Sequence, residues 1–221
     1  MTLESSVEFA ENPEPRCACV LLLDTSGSMG GAPIAALNEG LSTFKDALAK
    51  DPVASKRVEV AIVTFDSNVR LLQDFVTIEQ FNPPVISDLG PATLMSAGIN
   101  MALELVHNRK ALYRSNGVTY YQPWIFMITD GAPTESDEEV RRAGERVKEA
   151  ETNRRLSFFA VGVERADMEK LRSISVRDPV KLKGLDFKAM FVWLSASMQK
   201  VSASKIGQQV PLQPVGWGAV G

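Results

Sequence analysis

Two aspartates carry the chemical interest of this sequence, because each closes an apolar run and opens onto small residues: Asp24-Thr25-Ser26-Gly27-Ser28 and Asp130-Gly131-Ala132-Pro133. If the two runs are neighbouring strands, both carboxylates meet in a crevice at the strand ends, where open α/β sheets hold their ligands. Two carboxylates crowded in a partly desolvated crevice repel, and one takes up a proton unless a cation is present. Ser26 and Ser28 stand two and four residues past Asp24. They can turn their hydroxyls inward from a loop that Gly27 and Gly30 make compliant. The donor set is all oxygen, with neither imidazole nor thiolate. That suits a hard divalent cation, Mg²⁺ first and Mn²⁺ next, with Ca²⁺ also compatible, rather than zinc.

The elements that must position these residues alternate in type. Ala18 to Leu23 is a continuous apolar run that stops at Asp24 and reads as a strand buried on both faces. After the glycine-rich turn, Pro33 suits a helix start, and Ile34, Leu37, Leu41, Phe44 and Leu48 recur at spacings of three and four as one apolar stripe. Val58 to Phe65 and Val69 to Val76 form a predicted hairpin around Asp66, Ser67 and Asn68. A loop with Pro83, Pro84, Gly90 and Pro91 leads to a helix from Leu94 to about Leu112. Ser115 to Gln122 reads as an exposed connection, and Trp124 to Thr129 as a second buried strand ending at Asp130. Ser136 caps a charged helix, followed by a strand over Leu156 to Val161. A helix over Asp167 to Ile174, a short strand over Val180 to Leu182 and a last helix over Phe187 to Val201 complete the series. The predicted fold is α/β and Rossmann-like: a doubly wound, mostly parallel six-stranded sheet with one antiparallel edge strand and helices on both faces. Residues 1–16 form an N-terminal extension, 17–203 the domain, and 204–221 a tail that is a linker or an adherent terminal segment.

On these residues the chain resembles the von Willebrand factor A (VWA) family. Asp24-Thr25-Ser26-Gly27-Ser28 after an apolar strand is similar to the family's DxSxS signature. Thr93, in Gly90-Pro91-Ala92-Thr93 before a helix, and Asp130, in Ile128-Thr129-Asp130-Gly131, match the Thr and Asp that complete its metal-ion-dependent adhesion site (MIDAS). The hairpin strand Val60 to Asp66 resembles the family's second strand, so the similarity runs from about Cys17 to Ser202. The resemblance implies a metal held by Asp24, Ser26, Ser28 and Thr93, with Asp130 acting through water. It leaves one coordination position for an acidic residue of a partner protein. The run Gly31-Ala32-Pro33-Ile34-Ala35-Ala36-Leu37-Asn38-Glu39-Gly40 resembles the TerY type from bacterial tellurite-resistance clusters. That type is associated with stress response beside a protein kinase and a metal-dependent phosphatase. Some of its members carry a Cys-rich zinc-binding C-terminal region, which residues 204–221 do not contain.

Plainer roles stand beside these. Asp24 could merely cap a strand end or the following helix. Thr93 could be a helix N-cap, with Ser96 or Gly98 filling the loop, or hold both roles. Asp66 is explained as a turn residue, His107 as a surface residue, Trp124, Trp193 and Trp217 as packing residues, and the Arg141-Arg142 and Arg154-Arg155 pairs as solvated helix ends. Cys17 and Cys19 share one strand face and read as buried free thiols, because a Cys-x-Cys clip has no second ligand pair.

Composition narrows the function classes. With 221 residues the chain buries about 70% of its unfolded surface and needs neither disulfide nor metal to fold. A net charge of -3 argues against a nucleic-acid partner. Glu4, Glu8, Glu11 and Glu14 are unlike a signal peptide, and no apolar run is long enough to cross a bilayer, so a soluble cytoplasmic protein without a membrane partner is expected. Three enzyme or nucleotide schemes compete with metal-dependent protein binding. A Mg²⁺-dependent phosphotransferase with Asp24 as nucleophile, like haloacid dehalogenases, would need a second Asp where Ser26 stands and a nearby Lys or Arg. A serine hydrolase would need a base near Ser26 or Ser28, and the sole histidine lies in a helix. The glycines at 27, 30 and 31 lack the Gly-Lys-Ser/Thr ending of a phosphate loop. The expectation is a non-enzymatic binding domain.

Overall fold

The computed structural model describes residues 8–87 and 89–220. Glu4, in the predicted N-terminal extension, lies outside them. In chain order the elements are β1 (Cys17–Asp24), α1 (Ala32–Ala49), α2 (Ala54–Arg57), β2 (Val58–Phe65), β3 (Val69–Thr77), α3 (Met95–Ser115), β4 (Trp124–Thr129), α4 (Asp137–Thr152), β5 (Ser157–Gly162), α5 (Met168–Ile174), β6 (Val180–Leu182), α6 (Phe187–Ser202) and β7 (Gly218–Val220).

Every residue of β1, β2 and β4 is buried, as their unbroken apolar sequences require of strands covered on both faces. Strand alternation divides their side chains between two cores. Cys17, Cys19, Leu21 and Leu23 of β1 point toward α1 and α6, where Leu37, Leu41, Phe44, Phe191 and Leu194 meet them. Ala18, Val20 and Leu22 point the other way, against Ile99 and Val106 of α3, Val147 of α4 and Leu171 of α5. Each fully buried Leu or Phe contributes about 1.5–3 kcal/mol, so the stripe on α1 is enough to hold that helix to the sheet.

The strand order is β3-β2-β1-β4-β5-β6-β7. β1, β2, β4, β5 and β6 are parallel neighbours, while β3 and β7 pair antiparallel at the two edges. The α/β class, the doubly wound order and the hairpin agree with the sequence reading. The sheet has seven strands rather than six, however, and an antiparallel strand at each edge. The extra one comes from the tail, where Gly216-Trp217-Gly218-Ala219-Val220 is too short and glycine-rich to show strand alternation. The chain starts at β1, grows outward through β2 and β3, then returns to β4 on the other side. The order therefore reverses between β1 and β4, and their carboxyl ends border the crevice expected of such a sheet.

Several local features differ from the sequence reading. α3 runs on to Ser115, and Tyr121 in the expected exposed connection is buried, its hydroxyl donating to the Ser204 carbonyl at 2.7 Å. The N-terminal segment is also built in: Phe9 is buried, and the fully buried Arg16 pairs with Glu59 at 2.7 Å. Arg109 turns inward beside the exposed His107, pairing with Glu59 at 2.8 Å and with Glu8. Burying such ions is costly unless they are fully partnered, and this cluster partners Glu59 from both sides. Both cysteines are free and buried. The tryptophans pack as expected, Trp124 on Phe159 at 4.7 Å and Trp193 on Trp217 at 5.7 Å between ring centres.

Candidate metal centre

Asp24 is the last residue of β1 and wholly buried. Its Oδ1 accepts the Ser26 amide at 2.8 Å and its Oδ2 accepts the Thr129 hydroxyl at 2.5 Å. Burial pushes the carboxyl above its ordinary range; the Thr129 and Ser26 hydrogen bonds oppose that, and the charge of Asp130 adds to it. Immediately after, Ser26 precedes a single 3-10 turn, Gly27–Met29, which lifts Ser28 to the surface. The Ser26 and Ser28 hydroxyls lie 3.1 Å apart, and Ser28 donates to Asp130 Oδ1 at 2.9 Å. Asp130 is likewise held above the usual carboxylate range, by burial first, with the Ser28 hydrogen bond opposing and the charge of Glu164 adding.

Thr93 reaches the same place from the loop before α3. A methyl group built on Gly131 would stand 3.4 Å from Thr93 Oγ1, 3.7 Å from Asp24 Oδ2 and 3.8 Å from Ser26 Oγ. Three oxygens from separate residues thus face Gly131, a position that carries no side chain. All five residues singled out in the sequence, Asp24, Ser26, Ser28, Thr93 and Asp130, come together at the switch point of the sheet.

Thr93 is not the N-cap of α3. Leu94 occupies that position and supplies no side-chain bond; Glu135 caps the helix instead, accepting the Ser96 amide at 2.7 Å, the Ala97 amide at 3.1 Å and the Ser96 hydroxyl at 2.5 Å. The Thr93 hydroxyl is thereby spared for the crevice. Reciprocal bonds fix the two loops together: Thr93 N donates to Thr134 Oγ1, and Thr134 N to the Thr93 carbonyl, each at 3.1 Å.

Asp66 holds the expected turn, accepting the Asn68 amide at 2.8 Å, and does more. Its buried carboxylate accepts the Thr25 hydroxyl at 2.9 Å, while its carbonyl accepts the Leu94 amide at 2.9 Å. Gly90 presses against it so closely that a Cβ there would lie 2.7 Å from the Asp66 carboxylate, and the Gly90 amide donates to the Thr25 carbonyl at 3.0 Å. One aspartate therefore ties the Asp24 loop to the Thr93 loop. The sequence signal for Asp66 was only its turn context, and Glu135 had no local signal.

The donor chemistry fits a hard divalent cation. Among the described residues, neither Asp24 nor Asp130 has an ion-pair partner, although burial penalises the charge of both. The remaining donors are hydroxyls, of which those of Ser26 and Ser28 lie within hydrogen-bond distance of each other, and among the described residues no group of three or more His, Cys, Asp or Glu gathers as a zinc site would need.

A doubly wound sheet with a Ser- and Asp-lined crevice at its switch point places the chain among the open-sheet α/β domains. The family model for the von Willebrand factor type A domain matches residues 19–185, and the chain belongs to that family. A VWA protein of Catenulispora acidiphila has a similar structure, with a TM-score of 0.63 and 14% identity over 84% of this chain and 43% of that one. The pilus adhesin SpaC of Lactobacillus rhamnosus GG matches with a TM-score of 0.65 and 13% identity, over 84% of this chain and 30% of that one. The PilB minor pilin of Streptococcus sanguinis matches at 0.57 and 11%, over 85% of this chain and 62% of that one. At these identities the likeness is one of fold. The chain spans less than half the length of the solved proteins it matches first. A search of curated protein sequences finds no match.

Proposed function

We propose that this domain binds a partner protein through a divalent cation, Mg²⁺ or Mn²⁺, held by Asp24, Ser26, Ser28 and Thr93 with Asp130 alongside. The observation that carries this reading is the convergence of Thr93, Asp24 and Ser26 oxygens beside Gly131, at a place where two buried carboxylates have no ion-pair partner among the described residues. When bound, the ion would supply a Lewis-acidic position for a carboxylate of the partner. The chain's own residues hold the donors in register: Thr129 and the Ser26 amide orient Asp24, and Asp66 and Glu135 anchor the loops that bring in Thr93.

The same contacts favour binding over phosphoryl transfer. Both Asp24 oxygens are engaged by a hydroxyl and an amide, and the carboxylate is fully buried, which leaves it poorly placed to attack a phosphorus atom. Two of the structurally similar proteins are described as a pilus adhesin and a minor pilin, which accords with a role in protein contact.

The TerY-like run Gly31 to Gly40 supports a finer reading, a cytoplasmic adaptor in a bacterial stress or tellurite-resistance system, with a protein kinase and a metal-dependent phosphatase as its partners. Free buried thiols accord with a reducing compartment. Affinity purification from native cells with and without EDTA tests both levels. A kinase or phosphatase retained only without chelator supports the proposal, and retention indifferent to EDTA and to Asp24→Ala contradicts it.

A further inference from the structure

At the opposite end of the sheet from Asp24 lies a cavity of about 950 Å³. It opens at the amino ends of β4 and β5, where Trp124 and Ser157 begin their strands. β4 rises about 3.3 Å per residue, so the cavity and the carboxylate crevice are separated by about 17 Å along that strand. On its floor the half-buried Phe159 ring leans on the buried Trp124, with centroids 4.7 Å apart and planes tilted by 40°, and the Arg177 guanidinium lies 5.1 Å over the Phe159 ring. Residues 206–212 form one wall. Lys200 Nζ fastens that wall through the Pro211 carbonyl at 2.7 Å, and Trp193 Nε1 donates to the Gln213 carbonyl at 3.0 Å just beyond it.

The charges around the cavity are lopsided. Among the described residues, Lys110, Arg154, Arg155 and Arg177 face it, against the one carboxylate of Glu151. That carboxylate is used up: Arg177 pairs with it, and the Phe158 and Val176 amides donate to it at 3.1 and 3.0 Å. Lys110 donates to the Arg155 carbonyl at 2.9 Å, and among the described residues neither Lys110 nor Arg154 has a carboxylate partner. Arg155 pairs with the exposed Glu149 at 3.3 Å. Burial, with Arg114 and Arg155 nearby, holds the Lys110 ammonium below its ordinary value. Cations gathered against their own repulsion, in a chain whose net charge is -3, are relieved by an anion. The half-exposed Arg177 guanidinium, backed by the Phe159 ring, gives a flat group a surface to stack on.

We propose that this cavity binds an organic phosphate of nucleotide size, with its phosphoryl oxygens among Lys110, Arg154 and Arg155 and its flat body against the Arg177 guanidinium and the Phe159 ring behind it, beside residues 206–212. The guanidinium and ammonium groups supply charge-assisted donors for phosphate. This site is independent of the cation proposed at Asp24.

Calorimetric titration of the whole chain with ADP, GDP and pyrophosphate, in buffer containing EDTA, tests the proposal. Saturable binding of at least one nucleotide is expected, about tenfold tighter than pyrophosphate because of the stacked body. The Lys110→Gln/Arg155→Gln double variant should weaken it by about tenfold or more and Arg154→Gln by about threefold, while Asp24→Ala leaves it unchanged. Melting curves check that the variants fold; should the double variant not fold, Arg154→Gln, at an exposed side chain, decides alone. Absence of saturable binding by both nucleotides, pyrophosphate binding as tight as theirs, or nucleotide affinity indifferent to the folded variants overturns the proposal.

Discussion

Thr129, and not its neighbour Asp130, stands across the sheet from Asp24. The β1–β4 register pairs Leu23 with Ile128, so the next step along each strand brings the Thr129 hydroxyl to Asp24 Oδ2 at 2.5 Å. Asp130 lies one residue beyond, where the strand has ended, and meets the site through Ser28 instead. The two carboxylates thus approach from different depths, one inside the sheet and one above it.

Thr129→Val keeps the shape of this contact and removes its hydrogen bond. A lost partner of a buried carboxylate costs about 1.5–3 kcal/mol, and residues that orient metal ligands alter affinity by about tenfold to a hundredfold. Mg²⁺ or Mn²⁺ affinity, measured by calorimetry, should fall within that range while the fold persists; unchanged affinity would show that Thr129 does not orient the ligand.

The raised pKa values of Asp24 and Asp130 fix the sign of a pH effect. A carboxyl that holds its proton more tightly folded than unfolded contributes stability at acid pH, and that contribution is lost as pH rises through the folded value. The metal-free protein should therefore lose stability as pH rises above the ordinary carboxylate range. Asp24→Asn should melt at least as high as wild type in EDTA at pH 8, with the advantage shrinking on acidification. Cation affinity should run the other way and grow with pH as the carboxyls ionise. Thermal melts across pH, with and without Mg²⁺, check both slopes.

Glu135→Ala removes the side chain that caps α3 from another loop. The loss of a cap costs about 1 kcal/mol, or about 2–4 °C in melting temperature for a chain this size. Because Glu135 and Thr134 also fasten the Thr93 loop, the variant should bind the cation more weakly as well. A lower melting temperature without loss of cation affinity would separate the cap from the site.

How much of this was legible in the sequence depended on how local each signal was. Asp24, Ser26 and Ser28 lie within five residues at the end of an unbroken apolar run, and the strand pattern alone placed them. Asp130 followed for the same reason. Thr93 was ambiguous, because a Thr before a helix can also serve as its cap; the capping role falls instead to Glu135, some 40 residues along the chain, which no local pattern could reveal. Asp66 showed its turn but not its grip on Thr25. β7 was hidden by its three-residue length and its glycines. The buried Arg16–Glu59–Arg109 cluster was hidden because charged residues are ordinarily read as surface, and only the three-dimensional meeting of three distant segments makes their burial tolerable.

Cys17 and Cys19 offer a check on the core itself. Burial pushes the Cys19 thiol up to about 12 and Cys17 higher still, so neither forms the reactive thiolate near neutral pH. The native protein should be inert to a thiol reagent such as DTNB at pH 8 and should release two equivalents once denatured. Rapid reaction of the native protein would mean that β1 is not the closed central strand described above.

The most direct test of the central claim is an anomalous difference map from crystals grown with MnCl₂. A single strong peak among the Asp24, Ser26 and Ser28 oxygens, at about 2.0–2.4 Å from its direct ligands and absent from Asp24→Ala crystals, is the result expected. A map without a peak there, or with manganese bound only elsewhere, would contradict it.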